Sequence, residues 1–288
     1  MVSSRRTDDL GVRETAGHLK VAPLQSAIRG ALPTEGRLLM AGTAEISREN
    51  ARDKLIVALD VDSVRSALAI VDQLGEAVTF YKVGLHLQLD RELHSLLERL
   101  IKSQKRIFLD FKAFDIPETV SGTVKAASNL GVDFITVVGQ RAIVRAAVNA
   151  RSDRLKILVV TLLTGMDQSD LHNEYRTEMP ISEFVTRRAQ FAAESGCDGV
   201  ISSAREVDII RQAVNSRDFL IVTPGIRPSG ISNDDQKRVA TPYDAIKKGA
   251  DYLVIGRPII RADNPLAAVR TVIEEMARGI EATRCVYA

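Results

Sequence analysis

The stretch RIFLDFKAFDIPET, residues 106–119, begins like a buried strand and ends in charged side chains. Four of its first six residues are apolar, and Asp110, Lys112 and Asp115 lie close together along it. Ionised groups are costly to bury unless they are paired. The stretch therefore predicts a strand whose end delivers two acids and a base to one place.

Similar apolar runs recur from residue 55 onward, separated by longer amphipathic segments with helical spacing. They predict eight strands, over residues 55–60, 79–85, 106–112, 134–139, 156–163, 199–203, 220–226 and 252–257. Several helical segments end in glycine just before the next strand: DQLGEAVTF, SNLGVDFIT, ESGCDGVIS and KKGADYLVI. Glycine adopts the left-handed conformation that closes a helix, so each of these glycines marks the end of a helix in a repeating βα unit.

Eight βα units in about 230 residues is the number found in a (β/α)8 barrel. The alternative, an open doubly wound sheet, usually has fewer strands and often carries GxGxxG after its first strand. Here the first strand is followed by DVDSVRSAL, which contains no glycine. We predict an α/β fold, a single-domain (β/α)8 TIM barrel over residues 51–288.

Residues 1–50 are expected to form an N-terminal extension. Basic residues near the start have no apolar segment behind them, which argues against a secretory signal, and the acids among them weaken a transit-peptide interpretation. Disorder of this extension and an alternative start at Met40 are both open.

Composition and charge exclude several classes of protein. Hydrophobic residues at 45% and charged residues at 26% are typical of globular proteins, and a net charge of +2 predicts no attraction to nucleic acid or membranes. No apolar run approaches the ~18–20 residues of a membrane-spanning helix. Cys197 and Cys285 lie far apart without CxxC spacing, so neither a disulfide framework nor a zinc site is expected. A soluble, cytoplasmic protein fits this pattern.

A barrel enzyme carries its chemistry at the C-terminal ends of the strands, where the βα loops gather. Charged and polar residues occupy these positions here: Asp60, Lys82, Asp110, Lys112 and Thr164. Asp110 and Lys112 are two residues apart and would point to the same face of an ideal strand, with Lys82 beside them. An isolated D-x-K would favour a structural salt bridge, but its convergence with Asp60 and Lys82 favours a functional site.

The last two strands end in residues suited to phosphate. TPGIRPSGISNDDQKRVATP, residues 223–242, and VIGRPI, residues 254–259, supply glycine amides, Arg227, Gln236 and Arg257. This is where barrels commonly bind phosphate, and the planar guanidinium of arginine can donate two hydrogen bonds to it. A phosphorylated small molecule is the predicted ligand.

The four histidines show no metal-ligand spacing, and only His86 lies near the predicted site.

Ordered motifs over roughly residues 53–276 resemble the bacterial branch of the orotidine 5'-phosphate decarboxylase family: LDVD, KVG, FLDFKAFDIPET, LLTGM, TPGIRP with DDQKR, and GADYLVIGRPI. The D-x-K-x-x-D-I-P element, residues 110–117, is the most telling, although related barrels that act on sugar phosphates share its D-x-K-x-x-D part.

The resemblance implies a catalytic network of Lys82, Asp110, Lys112 and Asp115, with Lys112 as the proton donor. It also implies a homodimer with active sites at the interface, because Asp115 would enter the partner's site. The resemblance also implies a set of residues that contact the substrate: Asp60, Thr119, Thr164, Pro224, Arg227, Gln236, Gly256 and Arg257. Of these, Thr119 would come from the partner subunit, as Asp115 would. The chain departs from the family pattern at Val138, where a histidine is usual, and at Ile231, where a serine is common.

The activity implied by the resemblance is decarboxylation of orotidine 5'-monophosphate to uridine 5'-monophosphate, the last step of de novo pyrimidine biosynthesis. Neither a metal nor a cofactor is expected. Two alternatives stay open: a Mg²⁺-dependent decarboxylase or aldolase acting on a keto-sugar phosphate, with Asp60 and Asp110 near the metal, and a non-catalytic phosphate-binding barrel.

Overall fold

The structure is a computed structural model that describes residues 45–229 and 240–287. Eight parallel strands form a closed barrel in sequence order, with β1 paired to both β2 and β8. They are β1 (Leu55–Ala58), β2 (Phe80–Gly84), β3 (Arg106–Ala113), β4 (Phe134–Val137), β5 (Lys156–Val160), β6 (Gly199–Ile201), β7 (Leu220–Thr223) and β8 (Tyr252–Ile255). The predicted (β/α)8 barrel is confirmed.

Helices surround the strands. They are α1 (residues 45–54), α2 (Val64–Leu74), α3 (Leu93–Lys102), α4 (Pro117–Asn129), α5 (Arg141–Ala150), α6 (Gln168–Tyr175), α7 (Ile181–Glu194), α8 (Val207–Ala213), α9 (Pro242–Lys247), α10 (Arg257–Ile260) and α11 (Pro265–Tyr287). Short 3-10 turns cover Gly75–Ala77 and Leu85–Leu87. In the described part of the chain, no helix is both long and apolar enough to cross a membrane.

The glycines predicted to close helices all have positive φ: Gly75, Gly131, Gly196 and Gly249. Most strands end before the predicted C-terminal limit; β5, for example, stops at Val160 rather than residue 163. Apolar side chains continue past that point because the loop itself lines a cavity, as Leu162 and Leu163 do. Hydrophobicity alone therefore overestimated the length of the strand.

The hydrophobic core has two layers. The larger one lies between the strands and the helices. The smaller one fills the inside of the barrel and comprises Ile56, Ala58, Phe80, Phe108, Phe134, Leu158, Val222 and Val254. The Arg106 guanidinium lies 4.1 Å from the centre of the Phe80 ring, at the N-terminal end of β3. Packing of this kind supports the barrel floor beneath the functional site.

The boundary predicted between residues 50 and 51 falls inside α1, where Ser47 and Ala51 are both fully buried. Residues 45–50 thus belong to a helix that continues into residues preceding β1. The prediction for residues 1–44 concerns a segment outside the described residues.

Candidate active site

A cavity of about 530 Å³ opens at the C-terminal ends of the strands. It brings together most of the residues expected at the site: Asp60, Lys82, Asp110, Lys112, Thr164, Pro224, Arg227, Gly256 and Arg257. Gln236 and Ile231 lie outside the described residues. The exposed His86 also lines the cavity.

Four of these side chains form a row that alternates in charge. The Lys82 ammonium lies 2.9 Å from Asp60 Oδ1 and 3.4 Å from Asp110 Oδ2. The Lys112 ammonium lies 3.0 Å from Asp110 Oδ1. The order of the row is Asp60, Lys82, Asp110 and Lys112, so Lys82 and Asp110 each have an opposite charge on both sides. This alternation was expected from the sequence.

The backbone that carries Lys112 is not the ideal strand assumed from that spacing. Lys112 has a left-handed φ of 50°, and the register between β3 and β4 shifts between Leu109 and Ala113. Non-glycine residues rarely adopt this conformation, and such strain clusters at functional sites. The predicted contact between Asp110 and Lys112 is present, but an irregularity of β3 produces it.

Thr136 on β4 supports this irregular backbone and was not predicted from sequence. Its hydroxyl accepts the backbone N–H of Lys112 at 2.9 Å and donates to Asp110 Oδ1 at 3.0 Å. Phe134, two residues earlier, packs inside the barrel, so Thr136 shares its inward face. A polar residue two positions after an inward-facing aromatic was the available signal.

The pKa of Asp110 reflects these contacts. Burial would raise it, but the ammonium groups of Lys82 and Lys112, with hydrogen bonds from Lys112 and Thr136, together hold the pKa below its ordinary value. Asp110 is therefore an anion at neutral pH. Because its side chain is only 17% exposed, removing either ammonium would leave a poorly solvated charge.

Gly84 at the end of β2 leaves room for the row of charges. A Cβ atom at this position would lie 2.9 Å from the Lys82 ammonium and 3.1 Å from Asp60 Oδ1. Contacts this short force a displacement of the groups involved. The absence of a side chain at Gly84 thus permits the pair of Asp60 and Lys82.

Arginines that follow β7 and β8 supply positive charge to the same cavity. Arg227 and Arg257 were predicted, whereas Arg261, one turn beyond Arg257, was missed. The backbone N–H of Arg227 donates to the carbonyl of Ala240 at 2.9 Å, which joins the two sides of the segment after β7. The buried carboxylate of Glu275 accepts the N–H of Ser229 at 3.0 Å. Both contacts fix the base of that segment.

The loop after β3 presents a different picture. Asp115 is exposed and accepts the N–H of Ile116, and neither Asp115 nor Thr119 is among the described residues that line this cavity. Phe114 and Ile116 beside it are 62% and 66% exposed. Val138, where a histidine was expected, lies with Phe114 along a separate groove.

Residues 53–272 match the model of the orotidine 5'-phosphate decarboxylase / HUMPS family. The chain belongs to this family. Among its relatives, the orotidine 5'-phosphate decarboxylase of Nitrobacter winogradskyi is 49% identical over 228 residues, covering 79% of this chain and 94% of the relative. The Methylobacterium radiotolerans protein of the same name is 46% identical over 226 residues, covering 78% and 97%.

This member of the orotidine 5'-phosphate decarboxylase / HUMPS family is also similar to proteins of solved structure. The orotidine 5'-phosphate decarboxylase of Lactobacillus acidophilus is 36% identical with a TM-score of 0.68, covering 77% of this chain and 98% of that one. A conserved protein from Geobacillus kaustophilus, described as uncharacterized, is 32% identical with a TM-score of 0.66, covering 77% and 99%.

Proposed function

We propose that this chain decarboxylates orotidine 5'-monophosphate to uridine 5'-monophosphate, the last step of de novo pyrimidine biosynthesis. The observation that carries the proposal is the alternating row of Asp60, Lys82, Asp110 and Lys112 in a cavity that also contains arginines. The names of the two relatives above support the same activity.

Lys112 is the ammonium best placed to act on a substrate. Its side chain is 33% exposed, whereas that of Lys82 is 10% exposed and lies between two carboxylates. Loss of CO2 from C6 of the pyrimidine leaves an electron pair in the plane of the ring, where the ring π system does not delocalise it. A fixed ammonium beside C6 stabilises that carbanion and then protonates it.

Asp110 contributes in two ways. It orients Lys112 through their 3.0 Å contact, and it remains ionised next to the position proposed for the substrate carboxylate. Crowding of like charges there disfavours the bound substrate more than the carbanion that remains after CO2 has left. Both effects require the anionic form of Asp110.

The other residues of the site are proposed to contact different parts of the substrate. In this proposal Asp60 and Lys82 hold the ribose hydroxyls, while Thr164 and Pro224 contact the pyrimidine. The phosphate binds to Arg257, the Gly256 amide, Arg227 and Gln236. Binding energy from the phosphate, remote from the reacting carbon, then helps to order the site.

We further propose a homodimer in which Asp115 and Thr119 complete the partner's site. The support is that Asp115, on the loop after β3, and Thr119, in the first turn of α4, are both exposed beside the exposed apolar side chains of Phe114 and Ile116, and that neither lines its own cavity. Mixing inactive Lys112→Ala and Asp115→Ala proteins tests this, because a mixed dimer has one site with both residues intact. Recovery of turnover is expected; the absence of recovery in a verified mixed dimer would contradict a shared site.

The decisive experiment is an absorbance assay of orotidine 5'-monophosphate in excess chelator. Full turnover is expected, since the Lys82 ammonium occupies the space between Asp60 and Asp110 that a Mg²⁺ ion bridging them would need. Turnover that requires Mg²⁺ would contradict the proposed metal-independent mechanism. No turnover would refute the proposed activity, and an assay of keto-sugar phosphates with Mg²⁺ would then separate the keto-sugar-phosphate enzyme from the non-catalytic barrel. We also propose that the enzyme is cytoplasmic.

A further inference from the structure

Thr136 lies directly behind the row of charges. It is fully buried on β4 and is not among the described residues that line the cavity. Its hydroxyl nevertheless contacts both the Lys112 backbone and the Asp110 carboxylate. It is therefore placed to act on the two groups without touching a ligand.

The irregularity of β3 creates the need for this hydroxyl. At a φ of 50° Lys112 lies within the register shift between β3 and β4. A buried N–H without a partner is costly. The Thr136 hydroxyl supplies the acceptor, since its Oγ1 lies 2.9 Å from that nitrogen.

The direction of both hydrogen bonds follows from the chemistry of the groups. A backbone N–H only donates, so the single hydroxyl hydrogen of Thr136 is available for Asp110 Oδ1. That oxygen also contacts the Lys112 ammonium, while Oδ2 faces Lys82. One hydroxyl thus ties the backbone of the proposed proton donor to the anion that orients its side chain.

We propose that Thr136 is a positioning residue for decarboxylation, which holds the left-handed Lys112 backbone and the Asp110 carboxylate in one fixed arrangement. This inference rests on the proposed function. A hydroxyl at this position is required, and a side chain of the same shape without the hydroxyl does not replace it.

The test compares Thr136→Val, which keeps the shape, with Thr136→Ser, which keeps the hydroxyl. Thr136→Val should lower kcat by about 10- to 100-fold, the usual effect of losing hydrogen bonds to a charged group, with little change in KM. Thr136→Ser should restore most of that loss. Uridine 5'-monophosphate binding, measured by calorimetry, should stay close to wild type in both variants.

A pH profile separates positioning from a general loss of stability. Asp110 is faced by Lys82, Lys112 and Thr136, and removal of the Thr136 donor should raise its pKa. The pH below which kcat falls should therefore be higher in Thr136→Val than in wild type. Thr161→Val is the matched control, because this buried hydroxyl donates to the Ile201 carbonyl instead of to a charged group. It should lose stability without a change in the pH profile.

Two outcomes would overturn the inference. One is a Thr136→Val enzyme with the kcat and pH profile of wild type; the other is a Thr136→Ser enzyme as impaired as Thr136→Val. Wild-type protein without turnover would refute the proposed function itself, and that result is distinguishable because it is obtained before any variant is made.

Discussion

The Lys112 ammonium lies 3.0 Å from Asp110 Oδ1 even though the Lys112 backbone is left-handed, with a φ of 50°. A strained residue persists only where its surroundings over-determine its conformation. Here the surroundings are the Thr136 hydroxyl and the row of charges. With this backbone conformation, Lys112, the more exposed of the two lysines in the row, lines the cavity.

Replacement of Lys112 by alanine should remove the proton donor. Turnover of orotidine 5'-monophosphate should fall by about 10³-fold or more, whereas the affinity for uridine 5'-monophosphate should change far less. A steady-state absorbance assay measures the turnover, and calorimetry measures the affinity for uridine 5'-monophosphate. Lys125→Ala, which removes an exposed lysine of α4, is the control and should behave as wild type. Near-normal turnover in Lys112→Ala would remove Lys112 from the proposed role.

Replacement of Arg257 by alanine should weaken binding of the phosphate. The KM for the nucleotide should rise by about 10- to 100-fold, because arginine makes charge-assisted hydrogen bonds to phosphate. Turnover of the nucleoside orotidine, which has no phosphate, should be unaffected. The exposed Arg270 of α11 provides the control substitution. Equal losses with nucleotide and nucleoside would place the phosphate elsewhere.

The stability contributed by Asp110 should depend on pH. Burial opposes ionisation, but Lys82, Lys112 and Thr136 hold its pKa in the folded protein below the ordinary value. A lowered pKa gives stability that is fully present above the unfolded pKa and is lost as the pH falls through the folded pKa.

Urea unfolding of wild type and Asp110→Asn at several pH values measures this contribution. The difference in their free energies of unfolding should be constant from about pH 7 to pH 5, and the relative stability of wild type should fall below about pH 4. A difference that already changes between about pH 7 and pH 6 would mean that the pKa of Asp110 is raised instead.

Gly84→Ala should impair the site more than the fold. The added Cβ would lie 2.9 Å from the Lys82 ammonium, and a flexible lysine end can move away at small cost in stability. We expect kcat/KM to fall by about tenfold or more, because catalytic groups tolerate little displacement. The melting temperature should change little. Unchanged kcat/KM would show that the pair of Asp60 and Lys82 has freedom to shift.

Gly199→Ala should instead destabilise the barrel. Its Cβ would lie 2.2 Å from the carbonyl oxygen of Leu220 on the neighbouring strand, where backbone atoms cannot move independently. The free energy of unfolding should fall by about 2–4 kcal/mol. Gly122 on α4 is the control, since a Cβ there meets nothing within 4 Å and alanine favours a helix. Equal stabilities of the two variants would contradict the close approach of β6 and β7.

The sequence was a good guide wherever a local pattern has one physical cause. Apolar periodicity identified all eight strands, and the glycines that follow helices have the predicted positive φ. The convergence of Asp60, Lys82, Asp110 and Lys112 followed from the rule that strand ends meet at one rim. The limits of the strands were less accurate, because the apolar residues of a cavity resemble those of a strand.

Thr136 was missed for a different reason. Thr136 is separated from Asp110 by 26 positions, and it matters only because β4 lies beside β3. Its partner, the left-handed backbone of Lys112, results from a register shift between those two strands. Neither relationship is encoded in residues that are close together in the chain.

Periodicity, glycine placement and ordered motifs were thus sufficient for the barrel and for the set of charges at its rim. Only the tertiary structure shows which carboxylate oxygen each ammonium contacts, that the Lys112 backbone is left-handed, and that the Thr136 hydroxyl supports it. The reason is physical: apolar periodicity and turn residues are local features of the sequence, whereas the hydrogen bonds around Lys112 depend on the register between paired strands that are distant in the chain.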